Sequence, residues 1–320
     1  MTRRILKSIL RRALLAITRL SKTVLLIYLD VDRSVSRTKP EEPLAKANGL
    51  DTVGRFREII MDPLNLAIRR HPDAGLIDGQ TVVLHNGNRA GIVGQHAYYG
   101  SFSAILAINR GVHEPLQEYV FQQMIKRLGP HPVMIELGAY WAHYSMWLKG
   151  ERPGAHTFLV EPVSEYLEVG RRNFTINGYE GDFIKAFVGR DAWALDTFSK
   201  AKHLAHVDVL LADIEGFEVE MLEGAKATLA NKMVDYLFIS THSQDLHNSV
   251  VSMLEAHAYQ IEVSSDYAHH TTSCDGLVVA TSPDAALILS GFVPLGREDI
   301  ARKTPAELAD YLYNVVRAGV

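Results

Sequence analysis

Residues 132–145, with the sequence PVMIELGAYWAHYS, constrain the fold of this chain more than any other segment. The segment begins as a short apolar run that ends on Glu136 and Leu137, and it continues through the small residues Gly138 and Ala139. Apolar residues then recur every three or four positions, which predicts a helix after a strand and a tight turn. In an open α/β sheet, ligands bind beyond the carboxyl ends of the strands. We therefore expect this turn to hold a nucleotide-like cofactor.

The chemistry of the turn limits which cofactor fits. A dinucleotide-binding turn has the pattern G-x-G-x-x-G, whereas this turn keeps only Gly138, which disfavours a nicotinamide oxidoreductase. A second apolar run, residues 157–160, leads into Glu161, which lies 25 residues after Glu136, about one β-α-β unit. An acid at the end of the second strand can accept hydrogen bonds from both hydroxyls of a ribose. Acids at both positions suit a cationic cofactor such as S-adenosylmethionine, and an ordinary solvated turn is the alternative.

From residue 132 onward, predicted strands and helices alternate, and they include a helix over 141–149, a strand over 183–188 and a helix over 217–230. Five β-α units are followed by two neighbouring apolar runs, 259–263 and 277–280, with no helical pattern between them. This order predicts an α/β fold with a doubly wound, seven-stranded, mostly parallel sheet whose final hairpin is reversed.

Further parts are predicted on both sides of this sheet. The expected divisions are a basic amphipathic helix in residues 1–30, a linker and N-terminal cap region in 31–110, the α/β domain in 111–282, and a C-terminal helical tail in 283–320. The cap region contains Asn86-Gly87 between apolar runs, which predicts a β-hairpin with a two-residue turn. Thr304, Pro305 and Glu307 form a capping box, which predicts a helix over residues 305–317.

The charge distribution sets the N-terminal segment apart. Residues 1–22 hold seven basic and no acidic side chains, so the rest of the chain has 26 basic and 37 acidic residues, a net charge of −11. Such an amphipathic helix can lie on an anionic membrane surface, but its uninterrupted apolar run is too short to span a bilayer. Packing against the same chain or a second subunit, in a homo-oligomer, is the alternative. The single cysteine, Cys274, is typical of a reducing compartment, so we expect a cytoplasmic protein. The basic N-terminal helix would place it peripherally on the inner membrane face.

Three stretches of this chain resemble the FkbM-type family of class I S-adenosylmethionine-dependent methyltransferases. ELGAYWAHYS at 136–145 is similar to the family's D-x-G-A-x-x-G-x-x-S turn. DIEGFE at 213–218 with LEGA at 222–225 is similar to D-x-E-G-x-E…L-x-G-A, and FISTH at 238–242 is similar to a strand ending in E-x-H. The resemblance covers about residues 110–282. It implies a Rossmann-like fold, S-adenosylmethionine as cofactor, and methyl transfer to a hydroxyl.

The chain departs from this family pattern at three positions. Glu136 replaces the commoner Asp, Ala142 replaces the second Gly, and Ser240 replaces the acid of E-x-H. We expect the turn at Ala142 to be wider, or the following helix to begin differently. The departures leave open a second interpretation, a non-catalytic module that binds S-adenosylmethionine in the same fold.

Methyl transfer to a hydroxyl requires close placement of the acceptor and removal of its proton. The candidate catalytic residues are His242, Asp213 and Glu215, at the ends of the two strands nearest the expected methyl group. His242 is the best base by the intrinsic pKa of imidazole. Asp213 and Glu215 could instead hold the cofactor amine, or bind a divalent cation together with His242. The sequence has no Cys/His spacing of the kind that zinc sites show.

The remaining site predictions concern the cofactor and the acceptor. The expected cofactor-binding residues are Glu136, Gly138, Ala139, Tyr140, Trp141, Glu161, Pro162, Phe187 and Asp213. The substrate candidates are Glu114, His269, His270 and Asp275, of which the last three lie in the polar loop between the final two strands. Nucleic acid is disfavoured because the fourth strand lacks an N/D-P-P-Y/F loop and the α/β part is acidic. We expect a small-molecule or glycan acceptor, preferably a sugar hydroxyl in a surface glycan or glycolipid.

Overall fold

The computed structural model describes residues 52–92, 103–190, 192–289 and 293–318. The predicted basic amphipathic helix of residues 1–30 lies outside these ranges. Among the described residues, the helices are α1 (Thr52–Met61), α2 (Ala104–Ile108), α3 (Pro115–Ile125), α4 (His143–Glu151), α5 (Ser164–Asn177), α6 (Leu195–Ala201), α7 (Glu218–Glu223), α8 (Lys226–Ala230), α9 (Gln244–Ala256), α10 (Arg297–Arg302) and α11 (Pro305–Ala318). The strands are β1 (Ile77–Asp78), β2 (Thr81–Val83), β3 (Arg89–Gly91), β4 (Val133–Leu137), β5 (His156–Val160), β6 (Asp182–Ile184), β7 (Val207–Ala212), β8 (Val234–Thr241), β9 (Gln260–Ser265) and β10 (Gly276–Thr281).

Seven of these strands form one sheet in the order β6-β5-β4-β7-β8-β10-β9. The first five strands of this order are parallel to one another. β10 lies between β8 and β9 and is antiparallel to both. The predicted doubly wound, mostly parallel sheet with a reversed final hairpin is therefore confirmed. The short connection between β9 and β10 cannot make the crossover that parallel pairing needs, so the two strands pair as a hairpin.

Alternation along the central strands explains why the sheet is covered on both faces. Met134 and Phe238 contribute to one buried layer, and Ile135 and Leu237 contribute to the layer on the opposite face. Successive side chains on a strand point to opposite faces, and parallel sheets are normally buried on both. This packing aligns the carboxyl ends of β4, β5, β7 and β8 at one edge.

The predicted hairpin belongs to a small antiparallel sheet in the order β1-β2-β3. The connection from β2 to β3 spans residues 84–88, so the prediction of a two-residue Asn86-Gly87 turn is wrong. The sheet packs on α5, where Asn177 Oδ1 accepts a hydrogen bond of 2.8 Å from the Arg89 amide and Asn173 Oδ1 accepts one of 3.1 Å from the Gly91 amide. The extension is thus fixed to the larger sheet through a helix beside the predicted cofactor turn.

Two further element boundaries differ from the sequence patterns. The helix predicted over 217–230 is divided into α7 and α8 at Gly224, where an added Cβ would lie 3.0 Å from that of Ala194. The strand predicted over 183–188 ends at Ile184. At the C-terminus, Glu307 accepts a hydrogen bond of 2.7 Å from the Thr304 amide, which confirms the predicted capping box. Within the described ranges, none of the helices combines the length and the hydropathy that a bilayer crossing requires.

Candidate functional site

Gly138 brings the ends of β4 and β7 into contact. Its φ is 73°, and an added Cβ would lie 1.7 Å from the carbonyl oxygen of Asp213, so only glycine fits here. The amides of Gly138 and Ala139 both donate to the carbonyl of Val160, at 2.9 and 3.1 Å. The turn after β4 is therefore held against the ends of both neighbouring strands, at the edge where open α/β sheets bind ligands.

The same turn holds two non-glycine residues in left-handed conformations. Tyr140 has a φ of 37°, and Ala142 has a φ of 63° as the N-cap of α4. Ala142 thus adopts the conformation that glycine takes without strain. The helix begins at His143, two residues later than the predicted start at Trp141.

Glu161 lies at the end of β5 and faces the turn. Its Oε2 accepts a hydrogen bond of 3.3 Å from the Tyr140 amide, and its Oε1 accepts one of 2.9 Å from the Val163 amide. Burial raises the pKa of this carboxyl above its ordinary value, although both backbone donors oppose that shift. The two bonds fix the carboxylate in one orientation at the mouth of the turn.

A cleft of about 310 Å³ opens beyond these strand ends. Four apolar side chains in it are partly exposed, each between 38% and 48%: Val163, Tyr166, Phe187 and Phe217. The aromatic rings form two pairs, Tyr140 with Tyr166 at 4.5 Å between centroids and Phe187 with Phe217 at 4.6 Å. Exposed apolar side chains that cluster inside a cleft are typical of a ligand site. Here the faces of the aromatic rings can contact a flat ring of the ligand.

Six predicted cofactor-binding residues line this cleft: Gly138, Tyr140, Glu161, Pro162, Phe187 and Asp213. The other three, Glu136, Ala139 and Trp141, are buried beneath it. The sequence patterns do not predict five further residues that line the cleft: Val163, Tyr166, Val188, Ile214 and Phe217. Phe217 lies inside the DIEGFE segment, and Tyr166 lies in the first turn of α5, the helix that follows β5. An aromatic residue at either position also fits an ordinary hydrophobic core, so the sequence does not mark these two as ligand contacts.

The carboxyl of Glu136 makes its contacts beneath the turn and does not line the cleft. Its Oε2 accepts a hydrogen bond of 3.0 Å from the Ser145 amide in the first turn of α4. Burial raises the pKa of Glu136 to about 7, with the bonds from Ser145 and Tyr144 opposing and the charge of Asp213 assisting. This carboxyl therefore joins the strand to the helix N-terminus, where the dipole favours an acceptor.

His242, at the end of β8, is surrounded by carboxylates. Its Nδ1 lies 2.6 Å from Oε1 of the fully buried Glu218, and its Nε2 lies 3.2 Å from Oδ1 of Asp213. The same Nε2 is 3.7 Å from Asp275 and 4.0 Å from Glu215. The structure thus brings together the three predicted catalytic residues and one substrate candidate. It adds Glu218, whose position in the DIEGFE segment was the available signal.

The charges of this cluster set its protonation. Burial lowers the pKa of His242, but the hydrogen bonds to Asp213 and Glu218 and the charges of Asp213 and Asp275 outweigh burial and raise it to about 11. Burial and the charge of Asp213 raise the pKa of Asp275 to about 6, although His242 opposes them. At neutral pH, His242 is therefore a cation, and the pKa of Asp275 lies close to that pH.

The four substrate candidates fall into two pairs. Glu114 and Asp275 line a small polar pocket together with Gln117 and Ser240, next to His242. His269 and His270 lie outside this pocket and the larger cleft. His269 Nδ1 pairs with Glu298 at 2.9 Å, and His270 Nδ1 pairs with Asp266 at 3.2 Å. Of these four, only Glu114 and Asp275 are therefore placed to contact a molecule beside His242.

The fold and the site together define a class I S-adenosylmethionine-dependent methyltransferase: a seven-stranded sheet with a reversed hairpin, and a cleft at the carboxyl ends of its parallel strands. The sequence model described as the methyltransferase FkbM domain matches residues 93–261, more than half of the chain. The chain therefore belongs to the FkbM methyltransferase family. No curated protein matches the sequence.

Solved methyltransferases resemble parts of this structure. A precorrin-6y C5,15-methyltransferase from Geobacter metallireducens has 17% identity and a TM-score of 0.40, covering 53% of this chain and 90% of that one. TrmK from M. capricolum, in complex with S-adenosylhomocysteine, has 15% identity and a TM-score of 0.37, covering 61% and 81%. A tRNA (uracil-54, C5)-methyltransferase from Pyrococcus abyssi has 12% identity and a TM-score of 0.37, covering 53% and 39%.

Proposed function

We propose that this enzyme transfers a methyl group to a hydroxyl of a sugar, in a surface glycan, a glycolipid or a related small molecule. The observation that carries the proposal is the position of Asp213. Its side chain lines the large cleft and also lies 3.2 Å from Nε2 of His242. One residue thus connects the cleft for the cofactor with a cluster that can handle a proton.

The cleft residues fit S-adenosylmethionine. Glu161 offers a fixed carboxylate to the ribose hydroxyls, and the aromatic pairs offer apolar faces to the adenine. Asp213 and Glu215 supply negative charge near the cationic end. When bound, the cofactor supplies an electrophilic methyl group on a sulfonium.

The cluster around His242 is suited to accept the proton that the hydroxyl loses. In the transfer, the C–S bond breaks, an O–C bond forms, and the hydroxyl proton must go to a protein group or water. A cationic His242 cannot accept it directly, so the proton passes to a carboxylate that His242 holds in place. Asp275, with a pKa of about 6, is suited to accept a proton near neutral pH. The positive charge of His242 then stabilises the carboxylates around it, and the residues of this cluster titrate together.

The pocket beside the cluster supports a hydroxyl-rich acceptor. Its lining includes the carboxyls of Glu114 and Asp275, the amide of Gln117, and the hydroxyls of Ser240 and Thr272. These groups can donate and accept hydrogen bonds to a hydroxyl that reaches the pocket, whose volume of about 30 Å³ admits a small substituent and not a whole sugar ring. The basic residues 1–22 would bring the enzyme to an anionic membrane, where lipid-linked sugars are presented.

The first test is binding. Calorimetry should show binding of S-adenosylhomocysteine to the wild type and about a 10-fold to 100-fold loss in Glu161→Gln, since hydrogen bonds to a charged group contribute roughly 1.5–3 kcal/mol. The control is Glu165→Gln, which changes an exposed acid in the first turn of α5 that lies outside the cleft. Absence of binding by the folded wild type would refute the cofactor assignment.

The second test concerns the acceptor. Mass spectrometry of a cellular glycan fraction, with and without the protein, should show a mass difference of one methyl group on a sugar. His242→Ala should keep cofactor affinity and lose turnover. Cofactor binding without turnover of any hydroxyl acceptor by the wild type would instead support a non-catalytic binding module. Vesicle binding that is unchanged after removal of residues 1–30 would contradict the membrane proposal.

A further inference from the structure

A second cluster of titratable side chains lies buried beneath the cofactor turn, outside the cleft. It consists of His85 from the β2–β3 connection, His113 before α3, Glu118 on α3, and His143 at the start of α4. These four side chains are at most 5% exposed. They come from three separate segments of the chain, so folding creates the cluster.

The carboxylate of Glu118 lies between the imidazoles. Its Oε1 is 3.2 Å from Nε2 of His143, and its Oε2 is 3.6 Å from Nε2 of His85. One ligand atom each from His85, Glu118 and His143 lie within 4.8 Å of one another. Zinc–nitrogen and zinc–oxygen distances of about 2.0–2.1 Å place tetrahedral ligands about 3.3 Å apart. The separation from His143 to one carboxylate oxygen and the separation from His85 to the other are each close to that value.

Several of these atoms lack hydrogen bonds inside the protein. Among the described residues, Nε2 and Nδ1 of His85 and of His143, and Oε2 of Glu118, have no partner of acceptable geometry. A buried polar atom left in this state is unfavourable, because folding has removed its hydrogen bonds to water and supplied none in return. A cation bound by the Nε2 atoms and the carboxylate would satisfy three of these atoms at once.

Aromatic rings pack around the cluster. Trp141 stacks on His143 with 4.7 Å between centroids, and Trp147 contacts His85 at 4.4 Å. His113 Nδ1 lies 2.6 Å from Oε1 of Glu118, where it can orient the carboxylate as an outer partner. Two imidazoles and a carboxylate form a donor set that zinc accepts readily.

We propose that His85, Glu118 and His143 bind a divalent transition-metal ion, with zinc the best match, and that the ion fixes the cofactor turn to the N-terminal extension. His143 directly follows Ala142, the strained end of the turn. His85 belongs to the small antiparallel sheet region, and Glu118 belongs to the helix before β4. The site is separate from the cluster around His242, and the proposal does not depend on the acceptor that is methylated.

The test is metal content of the full chain without an affinity tag. After chelation and re-equilibration with Zn²⁺, mass spectrometry of the metal should find about one ion per chain that survives gel filtration. His85→Asn and Glu118→Gln should each weaken zinc affinity by about 100-fold in competition with a chromophoric chelator. His156→Asn, which removes an exposed histidine, is the matched control and should bind normally.

The ligand atoms of a second group, His206, Asp208 and Asp235, also lie close together, although His206 is exposed. A variant of this group therefore shows which of the two groups binds zinc. His206→Asn should retain zinc, and loss of zinc in this variant alone would overturn the assignment. Cobalt substitution of the wild type does not depend on folding of any variant. Intense visible bands of tetrahedral Co²⁺ support the site, whereas the weak spectrum of solvated Co²⁺, or a folded wild type that binds no metal, overturns it.

Discussion

Nδ1 of His242 lies 2.6 Å from Oε1 of Glu218, a carboxylate that is fully buried at the start of α7. Oε1 of Glu218 also accepts a hydrogen bond of 3.0 Å from the Gly216 amide, which fixes its orientation. The pair connects the loop after β7 to the end of β8, the two strands that supply the proposed catalytic residues. Glu218 therefore orients His242 and does not itself line the cleft.

Glu218→Gln should lower the pKa of His242 from about 11, because one of the two hydrogen-bonded carboxylates loses its charge. The imidazole resonances in NMR spectra should titrate at lower pH than in the wild type. Glu220→Gln, an exposed acid in the same helix, should leave them unchanged. An unaltered titration in Glu218→Gln would show that this contact does not set the charge of His242.

The raised pKa of His242 also predicts a pH dependence of stability. Below its unfolded pKa of about 6.5, both states carry the proton and the favourable ion pairing is fully present. Above that pH the unfolded state loses the proton first, so this contribution declines as pH rises toward 11. The free energy of unfolding should therefore fall less steeply with pH in His242→Gln than in the wild type. Equal slopes in denaturant titrations would contradict the prediction.

Glu136→Gln should stabilise the protein above neutral pH. With a folded pKa of about 7, the carboxyl keeps its proton in the folded state after the unfolded chain has lost it. Stability attributable to Glu136 therefore falls as pH rises from about 4.5 to about 7, and the loss is complete above that range. We expect a gain of roughly 2 kcal/mol at pH 8 and little change at pH 4, measured by chemical denaturation. A loss at both pH values would mean that the charged form is well accommodated.

Phe187→Ala should weaken S-adenosylhomocysteine about 10-fold, because a stacked aromatic contact contributes roughly 1–1.5 kcal/mol. The ring is 48% exposed, so its removal should change stability little. Val293→Ala, which truncates an exposed apolar residue outside the cleft, is the control for both measurements. Equal affinities in the two variants would exclude Phe187 from the cofactor site.

Glu215→Gly should raise stability while it lowers turnover. Glu215 has a φ of 52°, and its side chain is 84% exposed. The side chain therefore makes too little packing to offset the strain of the left-handed backbone. Glycine relieves that strain, with a net gain of about 0.5–1 kcal/mol after its larger unfolded-state entropy. Glu215→Ala keeps the strain and serves as the control in thermal and denaturant unfolding. If both variants have the same stability, the strain is absent.

The sequence by itself determined the sheet and its cofactor edge. Strand periodicity located β4, β5 and β7, and the acids Glu136, Glu161 and Asp213 marked their carboxyl ends. These signals are local, because alternation within a strand and small residues in a turn reflect backbone geometry over a few positions. The family resemblance then assigned methyl transfer to that edge.

Only the tertiary structure decided which of these acids face the cleft and what surrounds them. Glu161 and Glu136 follow the same sequence pattern and both are buried, yet only Glu161 lines the cleft. Glu136 instead accepts a hydrogen bond from α4 and has a pKa of about 7. The cluster of His85, Glu118 and His143 has no sequence spacing that could reveal it, because its members are brought together across 58 residues by packing of the extension on the domain. Burial, protonation and proximity between distant segments depend on the whole fold, whereas strand ends depend on their neighbours in sequence.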